Sequence, residues 1–96
     1  MTPEGKIEAY LKKRVLTARG SIRKVRWLDR RGAPDRFVWW KGPNMAFVEV
    51  KAPNKKLKGL TRLQLVEHAR LRRDGFAVYV IDSEAGVDAF IAEMTA

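Results

Sequence analysis

The chain contains no cysteine, so neither disulfide bridges nor a thiolate zinc site can hold it together. It has a single histidine, His68, which excludes a histidine-rich metal cluster. No apolar run approaches the roughly 18 residues that a membrane span requires. The opening Met-Thr-Pro-Glu-Gly-Lys does not lead into an apolar signal core. No repeat, linker or low-complexity tract interrupts the chain. Acidic residues are also scarce: eleven Asp and Glu against twenty Lys and Arg, a net charge of +9. The sequence pI is near 10.4. Such a balance attracts polyanions, of which nucleic acid is the commonest in a cell. No helix pairs a basic face with a large apolar one, so a membrane surface is the less fitting partner.

What is present suits one compact domain over residues 1–96. Hydrophobic residues make up 46%, enough for a thin core, and pairing of two copies would bury more. Thr2 and Pro3 read as the cap and first position of a helix carrying Ile7, Leu11 and Val15, with Gly20 able to end it. Ile22 to Leu28 reads as a strand, and Asp29 to Pro34 as a loop. Arg36 to Lys41 and Met45 to Ala52 read as a hairpin turning at Lys41-Gly42-Pro43-Asn44. Thr61 and Gln64 form a capping-box pattern that starts a second helix, continued by Leu63, Val66 and Ala69 or Arg70. Gly75 reads as its C-cap. Phe76 to Ile81 reads as a buried strand, and Ser83 caps a last helix with Val87, Phe90, Ile91 and Met94. The order is α-β-β-β-α-β-α. A helix between two strands implies a crossover, hence a small mixed α/β sheet flanked by helices.

Two segments could carry chemistry. Asp35 opens one hairpin strand and Glu49 lies on the other, so the hairpin draws them together. Strand alternation puts Glu49 and Lys51 on one face and Val50 on the opposite one. Two close carboxylates repel unless something neutralises them, and a hard divalent cation such as Mg²⁺ or Mn²⁺ does so with oxygen ligands. A metal there would polarise a phosphodiester and acidify water. Lys51 would then stabilise charge on the transition state. Taken singly, Asp35 could be a turn residue and Glu49 with Lys51 an exposed pair. The apolar neighbours Phe47, Val48 and Val50 argue against the second.

Pro34-Asp35, fourteen residues ahead of Glu49-Val50-Lys51, resembles the PD-(D/E)XK nuclease motif. Arg31-Gly32-Ala33-Pro34-Asp35-Arg36, Phe47-Val48-Glu49-Val50-Lys51-Ala52-Pro53 and Leu63-Gln64 resemble the VRR-NUC family in particular, from Glu8 to about Asp82. The resemblance implies a restriction-endonuclease-like core, α-β-β-β-α-β(-α), and DNA cleavage leaving 5′-phosphate and 3′-hydroxyl ends. It implies a metal held by Asp35, Glu49, the Val50 carbonyl and an acid of the first helix. Glu8 is the better match for that acid and Glu4 the second. It also implies a place near the site for Gln64, which the capping box with Thr61 already explains. Standalone members suggest a homodimer selective for branched DNA such as a four-way junction, in the cytoplasm of a bacterial or phage-infected cell. No small-molecule cofactor is implied.

Arg30, Arg31, Arg36, Lys55, Lys56, Lys58 and Arg62 surround the motif and are the expected contacts to DNA phosphates. Lys12, Lys13, Arg14, Arg23, Lys24 and Arg26 form further basic groups. Trp39 and Trp40 must face opposite ways, and the outward one is expected at a dimer contact. His68 reads as a surface or boundary residue. The competing reading is a non-catalytic DNA-binding module that retains the fold. An RNA-binding protein acting through charge alone would leave Asp35, Glu49 and Lys51 unexplained.

Overall fold

A computed structural model of the chain describes residues 1–42 and 44–96. The elements follow the expected order: α1 (Pro3–Thr17), β1 (Ser21–Lys24), β2 (Arg36–Trp40), β3 (Asn44–Val50), α2 (Arg62–Arg73), β4 (Val78–Ile81) and α3 (Glu84–Met94). The four strands form one sheet in the order β1-β2-β3-β4. The first three are antiparallel, and β4 returns through α2 to lie parallel to β3. The sheet is therefore mixed, as the crossover requires. Among the described residues no helix is long and apolar enough to cross a membrane.

Alternation along the strands divides the two sheet faces. Val38, Ala46, Val48, Val50 and Ile81 pack with Ile7, Leu11 and Val15 of α1 and with Val87, Phe90, Ile91 and Met94 of α3. Burying a side chain of this size contributes about 1.5–3 kcal/mol. The opposite face carries Glu49 and Lys51, and α2 reaches it through Gln64. Thr2, Thr61 and Ser83 each accept a backbone N–H at a helix start, and Thr61 with Gln64 closes a full capping box.

Element ends differ from the sequence expectation for identifiable reasons. β1 stops at Lys24, with one further bond from Val25 N–H to the Asp35 carbonyl. Beyond Asp35 the partner strand has given way to the loop, so Arg26 to Leu28 have nothing to pair with. β4 starts at Val78, because Phe76 still serves the end of α2: its N–H donates to the Leu71 carbonyl while that of Gly75 donates to Arg72. Asp74 is the cap itself and Gly75 follows it. In α1 the left-handed residue after the cap is Arg19, not Gly20. Gly20 serves a different purpose, since a Cβ there would lie 2.6 Å from the Trp40 indole. Asn44 already belongs to β3, and Pro43 of the expected turn lies outside the described residues.

The larger correction concerns α2. Leu63 and Val66 face outward, 52% and 41% exposed, and Ala69 and Arg70 are exposed with them. The inward face carries Gln64, Glu67, His68 and Leu71, and His68 is 1% exposed rather than superficial. The helix packs over the polar part of the sheet, so its buried side is the polar one.

Candidate active site

Arg36 pairs with Val48 across the hairpin, and continuing that register by one residue sets Asp35 opposite Glu49. Both carboxylates thus project from the α2 side of the sheet. The Lys51 N–H donates to the Ile81 carbonyl (2.8 Å), which extends the β3–β4 ladder and keeps Lys51 on the same face as Glu49. Its Nζ stands 3.9 Å from Glu49 Oε2. The residues foreseen on one patch meet there.

The loop before Asp35 is held against α2 from both sides. Gly32 adopts φ +84°, and a Cβ there would come within 2.4–2.6 Å of the Leu63 and Gln64 backbone. Only glycine tolerates both the left-handed backbone and that approach. Pro34 is buried, and its carbonyl accepts the Trp27 indole N–H at 2.7 Å. Asp35 therefore enters the strand from a fixed position.

Gln64 closes the capping box and also contacts Lys51. Its Oε1 accepts the Thr61 N–H at 3.0 Å to close the capping box, and the same oxygen accepts Lys51 Nζ at 2.9 Å. The cap that starts α2 thereby orients the lysine. Gln64→Ala is expected to lose about 1 kcal/mol of stability from the cap. It should also cleave about tenfold more slowly from a misplaced Lys51. Thermal unfolding and single-turnover cleavage read the two effects. A variant that unfolds earlier but cuts normally would leave Gln64 only its capping role.

Glu8 and Arg36 take positions the sequence could not specify. The Arg36 guanidinium is largely buried and bridges Glu8 Oε1 and Asp35 Oδ2, each at 3.2 Å. It is a counter-ion inside the site, already engaged by two carboxylates. Glu49 has a carboxyl pushed up to about 7, first by burial and then by the charge of Asp35, against the opposing pull of Lys51. Glu4 also raises it and Arg36 lowers it, so both acids of α1 bear on the site, Glu4 through its field and Glu8 through Arg36.

That environment is a test of fit for a metal. Burial and the neighbouring Asp35 disfavour the ionised form of Glu49 despite Lys51, and a bound cation would relieve both. Among the described residues no three His, Cys, Asp or Glu side chains converge into a ready cluster. Asp35, Glu49 and a backbone carbonyl supply hard oxygen donors, and a cation that keeps several waters needs no third carboxylate. The donor chemistry fits Mg²⁺ or Mn²⁺.

His68 lies one turn beyond Gln64 on the same side of α2, the spacing that could have revealed its burial. Neither of its ring nitrogens has a partner. Burial first, then the charges of Arg72 and Lys51, hold its pKa below the usual histidine value. An unpaired buried polar group is destabilising, and an apolar replacement of similar size removes that cost. His68→Leu should raise stability by about 1 kcal/mol in chemical denaturation at pH 7. A clear loss would mean that the ring satisfies a partner in solution.

The expected DNA contacts differ in their surroundings, and Lys56 lines a cleft with Tyr79, Asp82 and Glu93 on the α3 side. Arg31, Lys55, Lys56, Lys58 and Arg62 are exposed, while Arg30 sits 3.7 Å from Glu67. Trp40 turns inward, its indole N–H donating to the Ala18 carbonyl at 3.1 Å, and Trp39 lies on the opposite face beside Phe37.

Similarity to known proteins accords with this geometry. No family model matches the chain. It is 42% identical over 81 residues, 84% of each chain, to "Putative nuclease p44" of Acyrthosiphon pisum secondary endosymbiont phage 1. It also superposes on a solved structure described as "VRR_NUC domain" with a TM-score of 0.84 and 34% identity, covering 96% of this chain and 97% of the other. With likeness of that extent, and with Asp35, Glu49 and Lys51 converging beside a clamped loop, the chain belongs to the VRR-NUC family of nucleases.

Proposed function

We propose that this chain is a divalent-metal-dependent DNA endonuclease. The observation that carries the reading is the juxtaposition of Lys51 with Glu49, on the sheet face that Asp35 shares. Asp35, Glu49 and the Val50 carbonyl are the groups that would hold Mg²⁺ or Mn²⁺, with Glu8 restraining Arg36 nearby. Bound there, the ion would polarise the phosphoryl oxygen and make water more acidic. Lys51, fixed by Gln64, lies where it can stabilise negative charge developing on the phosphate and orient the attacking water. Arg31, Lys55, Lys56, Lys58 and Arg62 would grip backbone phosphates without reading sequence, and Arg30 could exchange Glu67 for one.

A homodimer acting on branched DNA completes the proposal. The sheet face beyond α2 presents a run of aromatic rings, Trp39, Phe37, Phe47 and Trp27, with centroids 5.2–5.5 Å apart. Phe76 and Met45 extend it into solvent. A second copy related by a two-fold axis would cover this surface and present paired sites to a symmetric junction.

The test is cleavage of a labelled four-way junction and a plain duplex with Mg²⁺ or Mn²⁺, beside sedimentation of the protein. The expected result is a dimer that cuts the junction faster, with Asp35→Ala silent. Equal cleavage of both substrates would remove structure selectivity, and a monomer that makes paired incisions would remove the dimer. Binding without cutting under either metal would favour a DNA-binding module.

A further inference from the structure

β1 and β2 pair so that Ile22 stands opposite Val38 and Lys24 opposite Arg36. Val38 is buried in the core with α1, so Ile22, Lys24 and Arg36 share the face that looks toward that helix. Two like charges directly across a ladder are unfavourable unless something between them is negative. Glu8 satisfies Arg36 at 3.2 Å. Lys24 enters no ion pair among the described residues, nor does Lys12, one turn beyond Glu8 on α1.

These residues line a cleft of about 370 Å³ between α1 and β1. Gly5 and Ala9 form the helix wall. The lining holds three cations and one carboxylate, and that carboxylate is committed to Arg36. It contains no aromatic ring, so no base can stack there. Arg36 is shared between the two sites, since its Nη1 reaches Asp35 Oδ2 at 3.2 Å.

We infer that the cleft between α1 and β1 is a second phosphate subsite, in which Lys12 and Lys24 hold a backbone phosphate of the DNA strand on the far side of Arg36 from the scissile position. The inference rests on the nuclease reading for the identity of the polyanion. The subsite is blind to sequence, because it offers cations to phosphate and nothing to a base. It sets the direction in which the strand leaves the active site, past Arg36 and along α1.

The experiment is equilibrium binding of labelled duplex DNA in EDTA, where no cutting occurs, across a range of salt concentrations. Each neutralised phosphate contact contributes about 0.9 to the slope of log affinity against log salt. Lys12→Ala/Lys24→Ala removes one phosphate contact and should lower that slope by about 0.9, to the same extent on unrelated sequences. Lys6→Ala/Lys13→Ala removes equal charge from the same helix outside the cleft and should change the slope by less than half as much. Equal effects from the two pairs, or no effect from the first, would overturn the subsite. A protein that binds with the expected slopes but never cuts would lose the nuclease reading and retain this one. Cutting with an unchanged slope would do the reverse.

Discussion

Lys51→Ala is expected to cleave DNA at least about 100-fold more slowly than the wild type in single-turnover experiments while keeping its fold. The size of the effect follows from where the ammonium sits. Its side chain is 15% exposed, and it is fixed between Glu49 Oε2 at 3.9 Å and Gln64 Oε1 at 2.9 Å. A positive charge held in a partly dry site needs no reorganisation when negative charge builds on a phosphate, and water screens it poorly. Lys51→Arg should not restore the rate, because the planar guanidinium cannot occupy the same point between a glutamate and a glutamine. Folding survives because the backbone of Lys51 continues the ladder to Ile81 whatever its side chain. Mn²⁺ calorimetry separates the lysine from the acids: Lys51→Ala should still bind the ion, and Asp35→Ala should not. Activity of Lys51→Ala within a few-fold of wild type would remove the lysine from the chemistry.

The convergence of Asp35, Glu49 and Lys51 on one sheet face was legible in the sequence because strand geometry is simple. A hairpin between Arg36 and Val50 leaves few registers, and alternation then assigns Glu49 and Lys51 to one face without further information. The core of α1 and α3 was legible for a similar reason: Ile7, Leu11 and Val15, and Val87, Phe90, Ile91 and Met94, follow the helical repeat that buries them. The same rule failed on α2. Its apolar residues, Leu63 and Val66, lie outward, and its buried side holds Gln64, Glu67 and His68. Hydrophobic periodicity assumes that a helix packs on an apolar surface, whereas this one roofs a patch of charge. The bridge from Glu8 through Arg36 to Asp35 was also out of reach, since it joins α1 to β2 through side chains and no local pattern encodes it. Gly20 illustrates a subtler limit. A glycine near a helix end suggests a cap, yet here it makes room for Trp40 and leaves the left-handed turn to Arg19.

Glu49→Gln should make the metal-free protein more stable at pH 8 while abolishing cleavage. The wild-type carboxyl has a pKa of about 7 against an ordinary 4.5, and the side chain is 13% exposed. For a group whose folded pKa is raised, stability is fully present below the unfolded value and is lost as pH rises through the folded one. The loss therefore runs from about pH 4.5 to a little above 7, and amounts to about 3 kcal/mol when complete. His68 acts in the opposite sense, since its lowered pKa costs stability as pH falls below the ordinary histidine value. The raw profile of the wild type thus mixes two trends. The difference between wild type and Glu49→Gln isolates the glutamate: small at pH 4, about 3 kcal/mol in favour of the glutamine at pH 8. For a domain of this size that corresponds to a shift of about 12–24 °C in unfolding midpoint. Mn²⁺ should narrow the difference, because a cation that binds only the folded carboxylate stabilises the wild type and not the variant. Affinity for the ion should rise with pH through about 7 as it displaces the proton from Glu49. A pH-independent difference in stability would mean that Glu49 is ionised and solvated in the free protein. The site would then hold its metal without the strain of two carboxylates, and the gain in stability from Glu49→Gln would vanish with it.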